Sequence, residues 1–151
     1  MTAQSFDFES IKKMTTKSIP FAERSGIELI EFERGRAKLK MPLEPNKNHI
    51  GTMYAGALFT LAEIPGGALF LGAFDMSKFF PIVADLNIKF VKAATTDITI
   101  EASISEEEIQ RITAEATETG KSTYILETEL VDENGVVVAI ANATYQARSH
   151  R

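Results

Sequence analysis

Three residues within a stretch of sixteen positions could do chemistry together, namely Asn48, Gly56 and Glu63. Glu63 is the only charged residue in the apolar run from 55 to 74. Burial raises the pKa of a carboxyl group, which suits it to act as a base near neutral pH. Gly56 lies near the predicted start of a helix, where free N–H groups can hydrogen-bond a carbonyl oxygen that gains negative charge. The spacing therefore predicts base chemistry at a polarised carbonyl group.

Each of these residues also has a purely structural explanation. A glutamate in an apolar helix can face a cavity or a charged partner, and Gly56 can allow close packing of a helix on a sheet. Asn48 can stabilise its own loop through an Asx-turn. The residue types alone leave both explanations open.

The rest of the composition narrows the choice of catalytic group. The chain has no cysteine and two histidines, His49 and His150. This excludes disulfides, thiolate nucleophiles and cysteine-based zinc sites, and it predicts no metal centre. A carboxylate is therefore the natural catalyst in this sequence.

The charge is negative overall but unevenly distributed. The net charge is −5, from 21 acidic and 16 basic side chains, which argues against binding of nucleic acid through bulk charge. Residues 101–133 contain ten acidic and two basic side chains, so this segment carries −8 and the rest of the chain +3. The segment that contains Asn48 and Gly56 can therefore still meet an anionic partner.

The periodicity of the apolar residues predicts the elements that position these groups. A chain of 151 residues has the length of one domain. We predict a helical segment within 1–25, a long central helix at 53–74 with Thr52 as its N-cap, and a short inserted helix at 105–119. The predicted strands are joined mainly by hairpins. The sequence therefore predicts an α+β fold in which an antiparallel sheet wraps around the central helix.

No segment is predicted to span a membrane. The most apolar run is interrupted by Glu63 and Pro65, whereas a spanning helix needs about 20 mostly apolar residues. The first residues lack the apolar core of a secretory signal. The expected location is the cytoplasm.

The segment from Asn48 to Glu63 resembles the hotdog-fold acyl-CoA thioesterases of the phenylacetate type. That branch has a pattern similar to N-x-x-G-x-x-H-G-G, with a carboxylate nine residues after the histidine. Asn48, Gly51 and Gly56 match the asparagine and two of the glycines. Glu63 lies at the carboxylate position, nine residues after Tyr54.

The resemblance extends over residues 20 to 148, with departures in the motif itself. The strand at 84–90 and the last strand at 136–145 resemble strands of the family. Tyr54 stands where the family has histidine, and Ala55 where it has the first glycine of the pair. The chain therefore resembles a divergent branch of the superfamily.

The resemblance implies a hotdog fold and hydrolysis of an acyl-CoA or a related acyl thioester. Coenzyme A would enter as part of the substrate, and no other cofactor is expected. Glu63 would activate water or attack directly, the N–H of Gly56 would stabilise the oxyanion, and Asn48 would position the water or the carbonyl group. The residues expected to contact substrate are Tyr54, Ala55, Thr52, Asn87 and Lys92.

The spacing of Gly56 and Glu63 also bears on assembly. Seven residues of helix separate them by about 10 Å at roughly 1.5 Å per residue, which one thioester group cannot span. A site therefore needs Gly56 of one copy to face Glu63 of a second copy, in agreement with the dimer of the family. A homodimer or homotetramer is expected.

Two other functions remain open at this point. The departures at Tyr54 and Ala55 favour a hotdog protein that binds an acyl group or acyl-CoA without hydrolysing it. A dehydratase or hydratase of the same fold usually pairs a histidine with a carboxylate, and His49 has no evident carboxylate partner in the sequence.

Overall fold

The computed structural model describes residues 7–150, which form four helices and one six-stranded sheet. The helices are α1 (Phe8–Lys17), α2 (Pro20–Ser25), α3 (Ala55–Ala73) and α4 (Glu106–Thr119). The strands are β1 (Glu28–Glu33), β2 (Arg36–Met41), β3 (Phe79–Phe90), β4 (Ile98–Ser103), β5 (Lys121–Val131) and β6 (Val137–Ser149). A single 3-10 turn, Glu44–Asn46, lies in the loop before α3.

The sheet has the order β1-β2-β4-β5-β6-β3, and every neighbouring pair is antiparallel. Burial alternates along β5 with a period of two residues, because successive side chains point to opposite faces of a sheet. The inner face packs against α3, so the core lies between the sheet and this helix. The predicted α+β architecture, a sheet wrapped around a central helix, is confirmed.

The central helix begins later than predicted. It starts at Ala55 rather than Met53, and its N-cap is Tyr54 rather than Thr52. Met53 instead donates its N–H to the carbonyl of Ala94 at 2.8 Å and forms an isolated β-bridge with Lys47. These tertiary hydrogen bonds hold the residues before Ala55 in extended structure.

The inserted segment forms α4, which is capped at both ends. The hydroxyl of Ser105 accepts a hydrogen bond from the N–H of Glu108 at 3.1 Å, as an N-cap does. Gly120 ends the helix with φ +92°, a conformation that glycine adopts without steric cost. Ile109 and Ile112 are buried, and α4 packs against β5 and β6.

The apolar helix α3 lies mostly inside the protein. In the described part of the chain it is the one helix whose length and composition would suffice to cross a membrane, and 61% of its most apolar 18-residue window is buried. A core helix has the same composition, because it is covered on most sides.

Candidate functional site

The loop that leads into α3 is held by the side chain of Asn48. Its Oδ1 accepts hydrogen bonds from the N–H groups of Ile50 at 3.0 Å and Thr52 at 3.1 Å. Its Nδ2 donates to the hydroxyl of Thr52 at 2.8 Å. Asn48 therefore uses both ends of its amide to fix the loop, and it acts on the start of α3 through that loop.

The first turn of α3 presents free backbone donors. The carbonyl of Tyr54 accepts hydrogen bonds from the N–H groups of Ala57 and Leu58, at 3.0 and 3.2 Å. Within residues 7–150, no acceptor takes the N–H of Ala55 or of Gly56. A helix N-terminus of this kind attracts negative charge, so it can stabilise an oxygen that becomes negative during a reaction.

The ring of Tyr54 lies directly over Gly56. A Cβ atom at Gly56 would come within 2.4 Å of Cε2 of Tyr54, so only glycine fits beneath the ring in this arrangement. Tyr54 itself is 59% exposed, and its ring has room to move aside. A side chain at position 56 would therefore have to displace this ring.

A cavity of about 410 Å³ opens beside the start of α3. It brings together four of the predicted site residues, Asn48, Thr52, Ala55 and Lys92, with apolar side chains that include Leu58 and Phe90. Lys92 is exposed and supplies a positive charge at the edge of this cavity. A ligand with an apolar part and an anionic part matches this lining.

Four of the predicted site residues do not line this cavity. Tyr54 and Gly56 lie next to it at the start of α3, whereas Asn87 and Glu63 lie further away. Asn87 lies opposite Asn142 of β6, and both are exposed, whereas the neighbouring Leu86 lies opposite the buried Ala143. Asn87 is therefore on the outer face of the sheet, away from α3. Glu63 does not line the cavity either, because it is two turns further along the helix.

Glu63 lies on the one side of α3 that the fold leaves partly uncovered. This side carries Gly56, Phe59, Glu63 and Gly67, all exposed or half-buried, and a Cβ atom at Gly67 would meet no atom within 4 Å. Burial raises the pKa of the Glu63 carboxyl above its ordinary value of 4.5. In the described chain no side chain pairs with this carboxylate. It is therefore a half-buried carboxyl group that forms no ion pair within residues 7–150.

This environment predicts a pH-dependent effect of Glu63 on stability. A carboxyl group whose pKa is raised by folding stabilises the folded state only while protonated, and this stability is lost as the pH rises from 4.5 through the raised pKa. Glu63→Gln, which cannot ionise, is therefore expected to unfold at a higher temperature than wild type at pH 7. Below pH 4.5 the two should unfold alike, and thermal unfolding followed by circular dichroism checks this. A variant less stable than wild type at pH 7 would contradict the account.

One neighbour of Glu63 was not predicted from the sequence. The hydroxyl of Tyr145, on β6, donates a hydrogen bond to the backbone carbonyl of Glu63 at 2.9 Å. The two residues are 82 positions apart, so spacing along the chain gave no sign of the contact. The only local signal is that Tyr145 belongs to the buried face of a predicted strand.

The residues described by the structure show no metal site. No group of three or more histidine, aspartate or glutamate side chains lies close enough to hold an ion within residues 7–150. The arrangement consists of free backbone N–H groups at the start of α3 and, two turns later, the half-buried carboxyl group of Glu63.

Comparison with solved structures defines the class of protein. A Pseudomonas aeruginosa protein of unknown function, described as a probable thioesterase, is 47% identical and superposes with a TM-score of 0.94 over 99% of this chain and 100% of that chain. A thioesterase from Haemophilus influenzae is 14% identical, with a TM-score of 0.76 over 97% and 94% of the two chains. A variant of a thioesterase from Pseudomonas aeruginosa is 19% identical, with a TM-score of 0.75 over 97% of each chain.

These similarities confirm that the protein has the hotdog fold and is related to the hotdog thioesterase superfamily. The chain belongs to the family described as a domain of unknown function, DUF4442, whose profile matches residues 9–146. No curated protein matches the sequence significantly.

Proposed function

We propose that this protein hydrolyses acyl thioesters, with acyl-CoA as the substrate class, in a site shared by two copies of the chain. The observation that carries the proposal is the geometry of α3. One uncovered side of this helix presents the free N–H of Gly56 and, two turns later, the unpaired carboxyl of Glu63. Thioesterases among the structural neighbours support the reaction class.

The exposed edge of the sheet supports a paired assembly. β1 and β3 form its two edges. β1 is six residues long, carries three glutamates and packs against α1. β3 is twelve residues long, and its inner-face residues Leu86, Ile88 and Phe90 remain partly exposed. A long uncovered edge strand pairs readily with another strand, so we expect β3 to pair with β3 of a second copy.

This pairing would complete the site. Antiparallel pairing of β3 with its copy puts the two-fold axis perpendicular to the sheet. Because α3 lies along the face of the sheet, the two copies of α3 then run in opposite directions. The first turn of one helix then lies near the later turns of the other. Gly56 of one copy can thus approach Glu63 of the second copy. Within one helix the same two residues are about 10 Å apart.

The chemistry follows from the two groups. Glu63 takes a proton from water as hydroxide adds to the thioester carbon, and the carbonyl oxygen becomes an anion hydrogen-bonded to the N–H of Gly56. The tetrahedral intermediate collapses, the carbon–sulfur bond breaks, and the leaving thiolate takes the proton that Glu63 accepted, which returns Glu63 to its ionised form. The products are a carboxylic acid and free coenzyme A, and no other cofactor is required. Asn48 and Thr52 hold the loop, while Tyr54, Ala55 and Lys92 border the substrate path.

A panel of acyl-CoAs of different chain lengths tests the proposal, with release of free thiol as the readout and a mass measurement in solution beside it. We expect turnover of at least one acyl-CoA by a species of two or more chains. A folded protein that hydrolyses none of them would contradict the proposed reaction.

The ring of Tyr54 over Gly56 favours a second candidate function, the binding of an acyl-CoA without hydrolysis. The ring lies against Gly56, and a ring that stays there would narrow the approach of a thioester carbonyl to the first turn of α3. The same panel separates the two functions. A binding protein would show acyl-CoA binding by calorimetry and release no thiol.

A further inference from the structure

The turn of α3 that carries Glu63 is attached to β6 through Tyr145. Its hydroxyl donates to the carbonyl of Glu63 at 2.9 Å, and its ring lies against Gly66. A Cβ atom at Gly66 would be 2.2 Å from Cε1 and Cζ of that ring. The strand and the helix therefore approach each other at this turn as closely as a glycine allows.

Pro65 weakens the helix at this turn. Proline has no N–H, so the carbonyl of Leu61 lacks its usual donor, and the proline ring pushes that carbonyl away. An internal hydrogen bond of the helix is thus missing next to Glu63. The hydrogen bond from Tyr145 stabilises the same turn from the sheet side.

Packing fixes the ring of Tyr145. It is 2% exposed and stacks on Tyr124 of β5, with ring centroids 5.6 Å apart and planes at 20°. Tyr124 is 3% exposed, and its hydroxyl has no hydrogen-bond partner within the described chain. The two tyrosines share one stack but differ in the hydrogen bond, which makes Tyr124 a matched control.

We infer that Tyr145 is a positioning residue for Glu63: its hydroxyl and the glycine at 66 set the turn from which the carboxyl reaches into the shared site. The inference rests on the function proposed above. Because a catalytic group displaced by about 1 Å can cost on the order of 100-fold in rate, the hydrogen bond would matter mainly for kcat. Substrate affinity, which depends on the cavity near Asn48, would change little.

Tyr145→Phe tests this, because it keeps the ring and removes only the hydroxyl. We expect kcat for the best acyl-CoA to fall about 10- to 100-fold with KM within about twofold of wild type. Tyr124→Phe removes a hydroxyl without a partner and should leave both constants within about twofold. Gly66→Ala displaces the ring from the turn and should lower kcat as Tyr145→Phe does. It is the second test variant if Tyr145→Phe does not fold.

Three results would overturn the inference: an unchanged kcat in folded Tyr145→Phe, equal losses in both phenylalanine variants, or an effect confined to KM. Glu63→Gln, assayed in parallel, distinguishes failure of the proposed function from failure of the positioning role alone. If Glu63→Gln turns over normally, the proposed function fails as well. If Glu63→Gln is inactive while Tyr145→Phe is fully active, only the positioning role fails.

Discussion

Replacing Glu63 by glutamine is expected to lower kcat for acyl-CoA hydrolysis by about 100- to 10,000-fold, the range that a general base supplies. Glutamine preserves the shape of the side chain but cannot take a proton from water. In wild type, activity should fall as the pH drops through the raised pKa of Glu63, which lies above 4.5. The measurement is thiol release against pH for the best substrate of the panel.

Glu127→Gln provides the matched control for this change. Glu127 is exposed on β5, opposite the exposed Asn142. The control therefore makes the same glutamate-to-glutamine change on the outer face of the sheet. Its turnover should equal that of wild type. Unchanged turnover by folded Glu63→Gln would remove the carboxylate from the mechanism.

Gly56→Ala is expected to reduce kcat by about 100-fold or more, the typical loss when one oxyanion donor becomes unavailable. The new methyl group would lie within 2.4 Å of the present position of Cε2 of Tyr54. The ring must therefore move, and the methyl group occupies the space through which a carbonyl oxygen approaches the N–H. Steady-state kinetics and thermal unfolding of the purified variant check the prediction.

Tyr54→Ala separates the donor from the ring that covers it. It removes the ring and leaves the N–H of Gly56 open, so we expect a raised KM with kcat close to that of wild type. If Tyr54→Ala lost as much kcat as Gly56→Ala, the ring rather than the backbone donor would carry the effect.

The fold was predictable because its main elements have strong local patterns. The apolar residues of α3 and the alternation in β5 and β6 depend only on which sides of an element are buried. The start of α3 was not predictable, since Met53 and Tyr54 are held by hydrogen bonds to Ala94 and Asn46. Such tertiary bonds decide a helix boundary without a signal in the adjacent residues.

The candidate site was predictable where its residues are close in sequence. Asn48, Thr52 and Ala55 share one loop and one helix start, so their meeting around one cavity follows from their spacing. The alternation of Asn87 with Leu86, Ile88 and Phe90 predicts that Asn87 lies on the other face of β3 from these apolar residues, and the structure places it there. What the sequence does not specify is the irregularity between Val83 and Asp85 in the register with β6, where a one-residue shift exchanges the two faces of the strand.

Tyr145 illustrates what spacing cannot supply. Its contact with Glu63 joins residues from opposite halves of the chain. It exists because Gly66 leaves room for the ring, and each of these residues by itself is an ordinary member of a strand or a helix.

A site built from Gly56 of one chain and Glu63 of another is tested most directly by pairing two inactive variants. Gly56→Ala and Glu63→Gln would be co-expressed with different affinity tags, and mixed pairs purified through both tags. Each mixed dimer then holds one site with both groups intact and one with neither, so we predict about half of the wild-type turnover from these pairs. Mixed pairs as inactive as either parent would contradict the shared site.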